Sequence, residues 1–205
     1  VNSYIPHVFF KMMSLQVILP LLHQGDFLCA SDLMDAYLHV PFHPSFQQFL
    51  WFAVEGRHYQ FQVLPFGLSS APRVFTNVLA PVVGMLHSSS IQLYPYLDDC
   101  LIVSPSFLKA QEDFPEVSRV LRQYGFLLNL PKSHLQPTQR LKFIGALIQS
   151  DLDTVVLAPE RVQKLSFHLC WIWSRHLLGL GCGLRVRWHR PWPFFPGVVF
   201  TSFHW

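Results

Sequence analysis

Two adjacent carboxylates, Asp98 and Asp99, stand between apolar runs in Tyr96-Leu97-Asp98-Asp99-Cys100. Acids in a tight turn ordinarily face water. Here the turn has neither Gly nor Asn, and its flanks, 93–96 and 101–103, are apolar and strand-like. Carboxylates held at the edge of a core repel one another unless a cation binds. Oxygen donors of this kind suit Mg²⁺ or Mn²⁺. Asp32 closes another buried run, Phe27-Leu28-Cys29-Ala30-Ser31, although taken alone it could cap a following helix. If Asp32 and Asp98 lie on adjacent strands, they can share two ions roughly 3.5–4 Å apart. Such a site works on phosphoryl groups by positioning and charge neutralisation. Asp35 is the weaker candidate, since one turn on it can face solvent.

The surrounding pattern must hold those acids in place. Residues 15–22 read as a short helix closed by Gln24-Gly25. Residues 27–33 read as a buried strand ending at Asp32, and 49–54 with 58–64 as a hairpin around Glu55-Gly56-Arg57. Ser69-Ser70-Ala71-Pro72 carries hydroxyl caps and then a first-turn proline, opening a helix to about Met85. Residues 92–96 and 101–103 are strands flanking the acidic turn. Residues 106–124 have helical spacing, with Pro115 expected to kink or split the helix and Gly125 to end it. Residues 141–149 and 154–157 read as a second hairpin around Ser150-Asp151, and Pro159 opens a further helix. The order β-α-β-β-α-β with extra hairpins predicts an α+β fold with an antiparallel sheet.

The same residues carry a family resemblance. Asp32-Leu33-Met34-Asp35-Ala36-Tyr37-Leu38-His39-Val40-Pro41 resembles motif A of reverse transcriptases. Leu64-Pro65-Phe66-Gly67-Leu68-Ser69-Ser70-Ala71-Pro72 resembles motif B, and Tyr96-Leu97-Asp98-Asp99 the YxDD box of motif C. Residues 127–134, with Lys132, resemble motif D, and Leu141-Lys142-Phe143-Ile144-Gly145 the primer grip of motif E. Five motifs in order make a specific signal, covering about residues 8–165, with wording closest to gypsy and DIRS-like retrotransposons.

The resemblance implies RNA-directed DNA synthesis from a primer, using two Mg²⁺ or Mn²⁺ ions, dNTP and an RNA or DNA template. It implies the palm of a right-hand polymerase with partial fingers and a thumb that is missing or divergent. Residues 1–26 would be partial fingers, 27–158 the palm with a fingers segment at 41–66, and 159–205 a divergent basic, Trp-rich tail. Asp32, Asp98 and Asp99 match the metal-binding carboxylates, helped by the Leu33 backbone carbonyl. Tyr37 matches the steric gate against a ribose 2′-hydroxyl; without the motif it would read as a core aromatic. Gly67 matches the motif B glycine, while Phe66 stands where some retroviral enzymes carry glutamine. Lys132 matches the proposed proton donor to pyrophosphate, beside the reading of a solvated lysine. Arg73 could meet template phosphate or simply lie on the surface. Phe143 and Gly145 fall in the primer grip.

Composition bounds these readings. With 205 residues, 51% hydrophobic and 13% charged, the chain can fold around a real core. Fifteen Lys and Arg against twelve Asp and Glu leave +3, and no acid follows Glu160. The tail's Arg161, Lys164, Arg175, Arg185, Arg187 and Arg190, mixed with tryptophans, could attract phosphate or be an unrelated divergent end. Cys29, Cys100, Cys170 and Cys182 show no CxxC pairing, and His87, His134 and His168 show no zinc spacing with them. An intracellular setting, cytoplasmic or nuclear, without a secretory signal is expected. The uncharged run 74–97 contains Pro81 and Pro95, which argues against a membrane helix. Most of the fingers would precede Val1, and a ribonuclease H domain would lie downstream in a parent polyprotein. A rival reading is an inactive retroelement remnant that binds nucleic acid or a partner. Another is an unrelated α+β domain whose acidic turn is only surface.

Overall fold

The computed structural model describes residues 1–6 and 8–158. The expected helix after Pro159, the basic Trp-rich segment, His168, Cys170 and Cys182 lie outside the described residues. The centre is an antiparallel sheet of β1 (Phe27–Asp32), β4 (Gln92–Tyr96), β5 (Asp99–Ser104) and β6 (His134–Thr138), in the order β4-β5-β1-β6. A hairpin joins β2 (Trp51–Val54) to β3 (Arg57–Gln60), and β7 (Arg140–Phe143), β8 (Ala146–Gln149) and β9 (Thr154–Leu157) form a separate meander. Helices α1 (Leu15–Ile18), α2 (Pro44–Gln47), α3 (Ala71–Ser88) and α4 (Phe107–Gln123) complete the described set. This is the α+β fold with an antiparallel sheet expected from the order of elements, and it accords with the palm that the resemblance implies.

The apolar runs of β1 and β5 follow from burial on both faces. Successive strand residues point to opposite sides. Cys29, Leu93 and Ile102 enter one core with Phe75, Leu79 and Leu86 of α3 and Val117 and Leu121 of α4. Leu28, Leu101 and Val103 enter the other, with Ile18 of α1 and Leu141, Phe143 and Ile148 of the meander. A strand covered on both sides cannot alternate with polar residues, so the acids gather where β1 and β5 leave the core. Burial pushes the Cys100 thiol up to about 12, with Asp99 nearby adding to the effect, and the Cys29 thiol up to about 11, with Asp113 adding. Both cysteines are free and buried.

Several local expectations change. Residues 15–22 split into α1 and a 3₁₀ turn, Leu19–Leu21, that contains Pro20. Ser70 occupies the N-cap position of α3 without a side-chain cap bond. Pro115 does not split α4, which runs as one element from Phe107 to Gln123, and Pro81 likewise sits inside α3. Both prolines are exposed, so water can reach the carbonyls they leave without a donor. The strand expected over 141–149 breaks at Ile144 and Gly145, at φ 48° and 74°, into β7 and β8. The hairpin around Glu55-Gly56 forms, but β3 ends at Gln60 rather than running to 64. No described helix is long and apolar enough to cross a membrane.

Candidate active site

The ladder between β1 and β5 sets Asp32 opposite Asp99, and that between β4 and β5 sets Tyr96 opposite Asp99. Leu97 and Asp98 are therefore the two central residues of a tight hairpin. Leu97 takes φ 56°, a conformation glycine adopts freely and leucine at a cost of roughly 1–2 kcal/mol. Strain of this kind persists where the surroundings fix the backbone. Here the fixing contact is the Leu33 N–H donating to the Asp98 carbonyl at 2.8 Å. In an antiparallel ladder a residue's N–H and C=O point the same way, so the Leu33 carbonyl also faces the acidic turn.

Asp99 and Asp32 are half-buried, and Asp98 is exposed. Burial raises the proton affinity of Asp99, the charges of Asp98 and Asp32 raise it further, and Lys132 opposes them. Two carboxylates from one turn and a third from the neighbouring strand thus share one electrostatic neighbourhood. Among the described residues no group of three His, Cys, Asp or Glu side chains is set to hold a metal ion. The register brings Asp32 and Asp99 face to face with Asp98 adjacent, but it displays no ready three-carboxylate cage. The donor set nonetheless fits Mg²⁺, which is usually held by one or two carboxylates and keeps water or phosphate oxygens in its remaining positions.

Tyr37 lies in the 3₁₀ turn Ala36–His39, which follows Asp35 at φ 51°. Its ring is 5.0 Å from Phe66 and 5.7 Å, edge-on, from Phe75. Burial raises its phenol's proton affinity, and the charges of Asp98 and Tyr96 add to the shift. Phe66 is 61% exposed. Gly67 has φ +86° and open space where a Cβ would stand, so the loop permits close approach. Arg73 is half-buried in the first turn of α3 and lines an apolar cavity of about 780 Å³. Phe143 is 3% exposed, so its side chain serves the core, and the turn at Ile144-Gly145 is what the meander presents at that end. Asp35 is exposed, and its left-handed backbone at φ 51° opens the Tyr37 turn.

Three residues near the site escaped sequence reasoning. Asn2 donates to the Gly67 carbonyl at 2.8 Å and accepts from the Ser69 N–H at 2.9 Å, bracing that loop. His39 accepts from the Leu127 N–H at 3.0 Å. Ser133, beside Lys132, accepts from the Asp32 N–H at 3.0 Å. His39 and Ser133 lie within recognisable motifs; nothing in the sequence singles out Asn2.

Residues 4–148 match the family of reverse transcriptases (RNA-dependent DNA polymerases). The chain is 30% identical over 139 residues to the Gag-Pol polyprotein of bovine immunodeficiency virus, which covers 62% of this chain and 9% of that one. It is 29% identical over 108 residues to a retrovirus-related Pol polyprotein from transposon opus of Drosophila melanogaster, covering 53% of this chain and 10% of the relative. It therefore spans about a tenth of these relatives. A foamy viral protease-reverse transcriptase solved with double-stranded DNA superposes at a TM-score of 0.69 with 23% identity, over 80% of this chain and 28% of that one. A foamy viral protease-reverse transcriptase solved with an RNA/DNA hybrid gives 0.67 with 23% identity, over 80% of this chain and 22% of that one. The chain belongs to the reverse transcriptase family.

Proposed function

We propose that this chain carries the nucleotidyl-transfer site of an RNA-directed DNA polymerase that extends a primer on an RNA or DNA template. The observation that carries the reading is the Asp32–Asp99 register with Asp98 at the adjoining turn, in a chain of this family. Asp32, Asp98, Asp99 and the Leu33 carbonyl would hold two Mg²⁺ or Mn²⁺ ions. When bound, these would neutralise charge on the triphosphate and on the primer 3′-hydroxylate. In the reaction the primer 3′-oxygen bonds to the α-phosphorus of a dNTP, the α–β phosphoanhydride bond breaks, and pyrophosphate leaves. Lys132, exposed and electrostatically coupled to Asp99, is suited to donate a proton to that leaving group.

Tyr37, backed by Phe75 and covered by Phe66, would form a floor that a ribose 2′-hydroxyl strikes, favouring deoxynucleotides. Gly67 would let the backbone approach the nucleotide. Arg73 would meet the template, and the Phe143–Gly145 end of the meander would meet the primer through backbone rather than the Phe143 ring. We read 1–26 and 41–66 as fingers segments and 27–158 as palm, with motif wording closest to gypsy and DIRS-like retrotransposons. A ribonuclease H domain elsewhere in a parent polyprotein would accord with polyprotein relatives.

Primer extension by the purified chain, with Mg²⁺ or Mn²⁺ against a chelator, tests this directly. Asp98→Asn is expected to lower the rate by at least 10²–10³-fold, on the order of removing one charge-stabilising group from such a site. Equal extension by wild type and variant, or extension indifferent to the cation, would overturn the proposal. Template binding without cation-dependent extension would instead favour a nucleic-acid-binding remnant.

A further inference from the structure

The contacts that fix Asp32 come from an unexpected direction. Leu33 bonds towards β5, so its neighbour Asp32 directs its own N–H and C=O the other way, towards β6. β6 pairs with Leu28 and Ala30 across a register shift and begins at His134. Asp32 thus lies one step beyond the last β6 pair. The Asn129–Ser133 turn fills that gap with a closed ring of hydrogen bonds. The Asp32 N–H donates to Ser133 Oγ at 3.0 Å, the Ser133 hydroxyl donates to the Asn129 carbonyl at 2.8 Å, and the Asn129 N–H donates to the Asp32 carbonyl at 2.8 Å. The Asn129 carbonyl also accepts from the Lys132 N–H at 3.1 Å and the Ser133 N–H at 3.0 Å. One hydroxyl thereby joins the Asp32 N–H to the turn that bears Lys132, beside the backbone bond from Asn129.

Nearby contacts make the joint extensive. The Met34 N–H donates to the Leu127 carbonyl at 2.8 Å, Leu33 bridges to Leu128, and the Leu127 N–H donates to His39 Nε2. Two links tie Asp32 directly to the Lys132 turn: the backbone bond from the Asn129 N–H to the Asp32 carbonyl, and the Ser133 hydroxyl, the one made by a side chain.

We infer that Ser133 is a positioning residue that sets the Lys132 turn against Asp32, so that acid and base are held as one unit. The inference deepens the proposed function and rests on it for the roles of Asp32 and Lys132, but the latch itself is open to a test without activity. Serine supplies what the ring needs: one O–H to donate and lone pairs to accept. Alanine removes both, and threonine keeps both.

The experiment compares the full wild-type chain with Ser133→Ala and Ser133→Thr by amide hydrogen exchange and by steady-state primer extension. Ser133→Ala is expected to speed exchange at Asp32 and across 129–133 by roughly tenfold, the scale of one hydrogen bond, with β4 and β5 unchanged. It is expected to lower kcat about tenfold with KM for primer–template unaltered. Ser133→Thr should restore both exchange and kcat. Unchanged exchange at Asp32 in Ser133→Ala overturns the inference whatever the kinetics. So does faster exchange spread evenly over the whole sheet, which is what a merely structural role gives. If the wild type extends primers no better than Asp98→Asn, the proposed function fails, and the local exchange pattern still decides for or against the latch.

Discussion

The central sheet and the β2–β3 hairpin are both antiparallel and rich in aromatic or β-branched residues, yet they differ in how they are held. β1 and β5 are sandwiched between two cores, and Leu28, Leu101 and Cys100 are fully buried. Every residue of β2 and β3 is exposed, with Trp51 62% accessible. The hairpin is held by its two-residue turn, with Glu55 and Gly56 at φ 51° and 74°, and by cross-strand rings such as Phe52 on Tyr59 at 5.6 Å. Two strands without a covered face are marginal in water. The acids are mounted on the rigid region, where a carboxylate's position is set by register. Adaptable contact surface is left to the other.

Truncation tests the contrast most strongly. Leu101→Ala should cost about 2–5 kcal/mol by urea unfolding, since it opens a cavity between β5 and the meander. A loss below about 1 kcal/mol would mean that core is not close-packed.

A smaller effect comes from Asp99. Its folded-state proton affinity is raised, so the folded chain holds a proton that the unfolded chain has released. Stability should therefore fall as pH climbs from the ordinary Asp value of about 3.9 through the raised value, then level off. Adding Mg²⁺ should recover the loss, and Asp99→Asn should flatten the slope and abolish the Mg²⁺ response, read as urea midpoints against pH. A slope that Asp99→Asn leaves unchanged would show that Asp99 does not contribute to it.

The smallest change is expected at the hairpin. Trp51→Ser should move stability by about 0.5 kcal/mol or less, as for other surface positions. A loss as large as that of Leu101→Ala would show the hairpin is covered in the protein as it exists, and the contrast would vanish.

How much of this was readable beforehand follows the same divide. Runs such as 27–31 and 101–103 announce themselves because burial on two faces leaves no polar interruption. The acidic turn stands out against them, so the Asp32, Asp98 and Asp99 neighbourhood was legible. β6 was not: His134–Thr138 is polar and contains Pro137, which an edge strand tolerates and a pattern search discards. The Ile144-Gly145 turn was hidden because isoleucine is a poor signal for positive φ. Ser133 could not be found from spacing, since its partner Asp32 is 101 residues away.

The two thiols buried in the sheet have a practical consequence. Cys29 on β1 and Cys100 on β5 are kept protonated and covered in the same core, one on each strand of the seam. Only the thiolate reacts readily with alkylating reagents. Label found in the peptides bearing these two cysteines would therefore count molecules whose seam has parted. The chain thus carries its own stopwatch for opening of the buried seam, with no cysteine to be introduced.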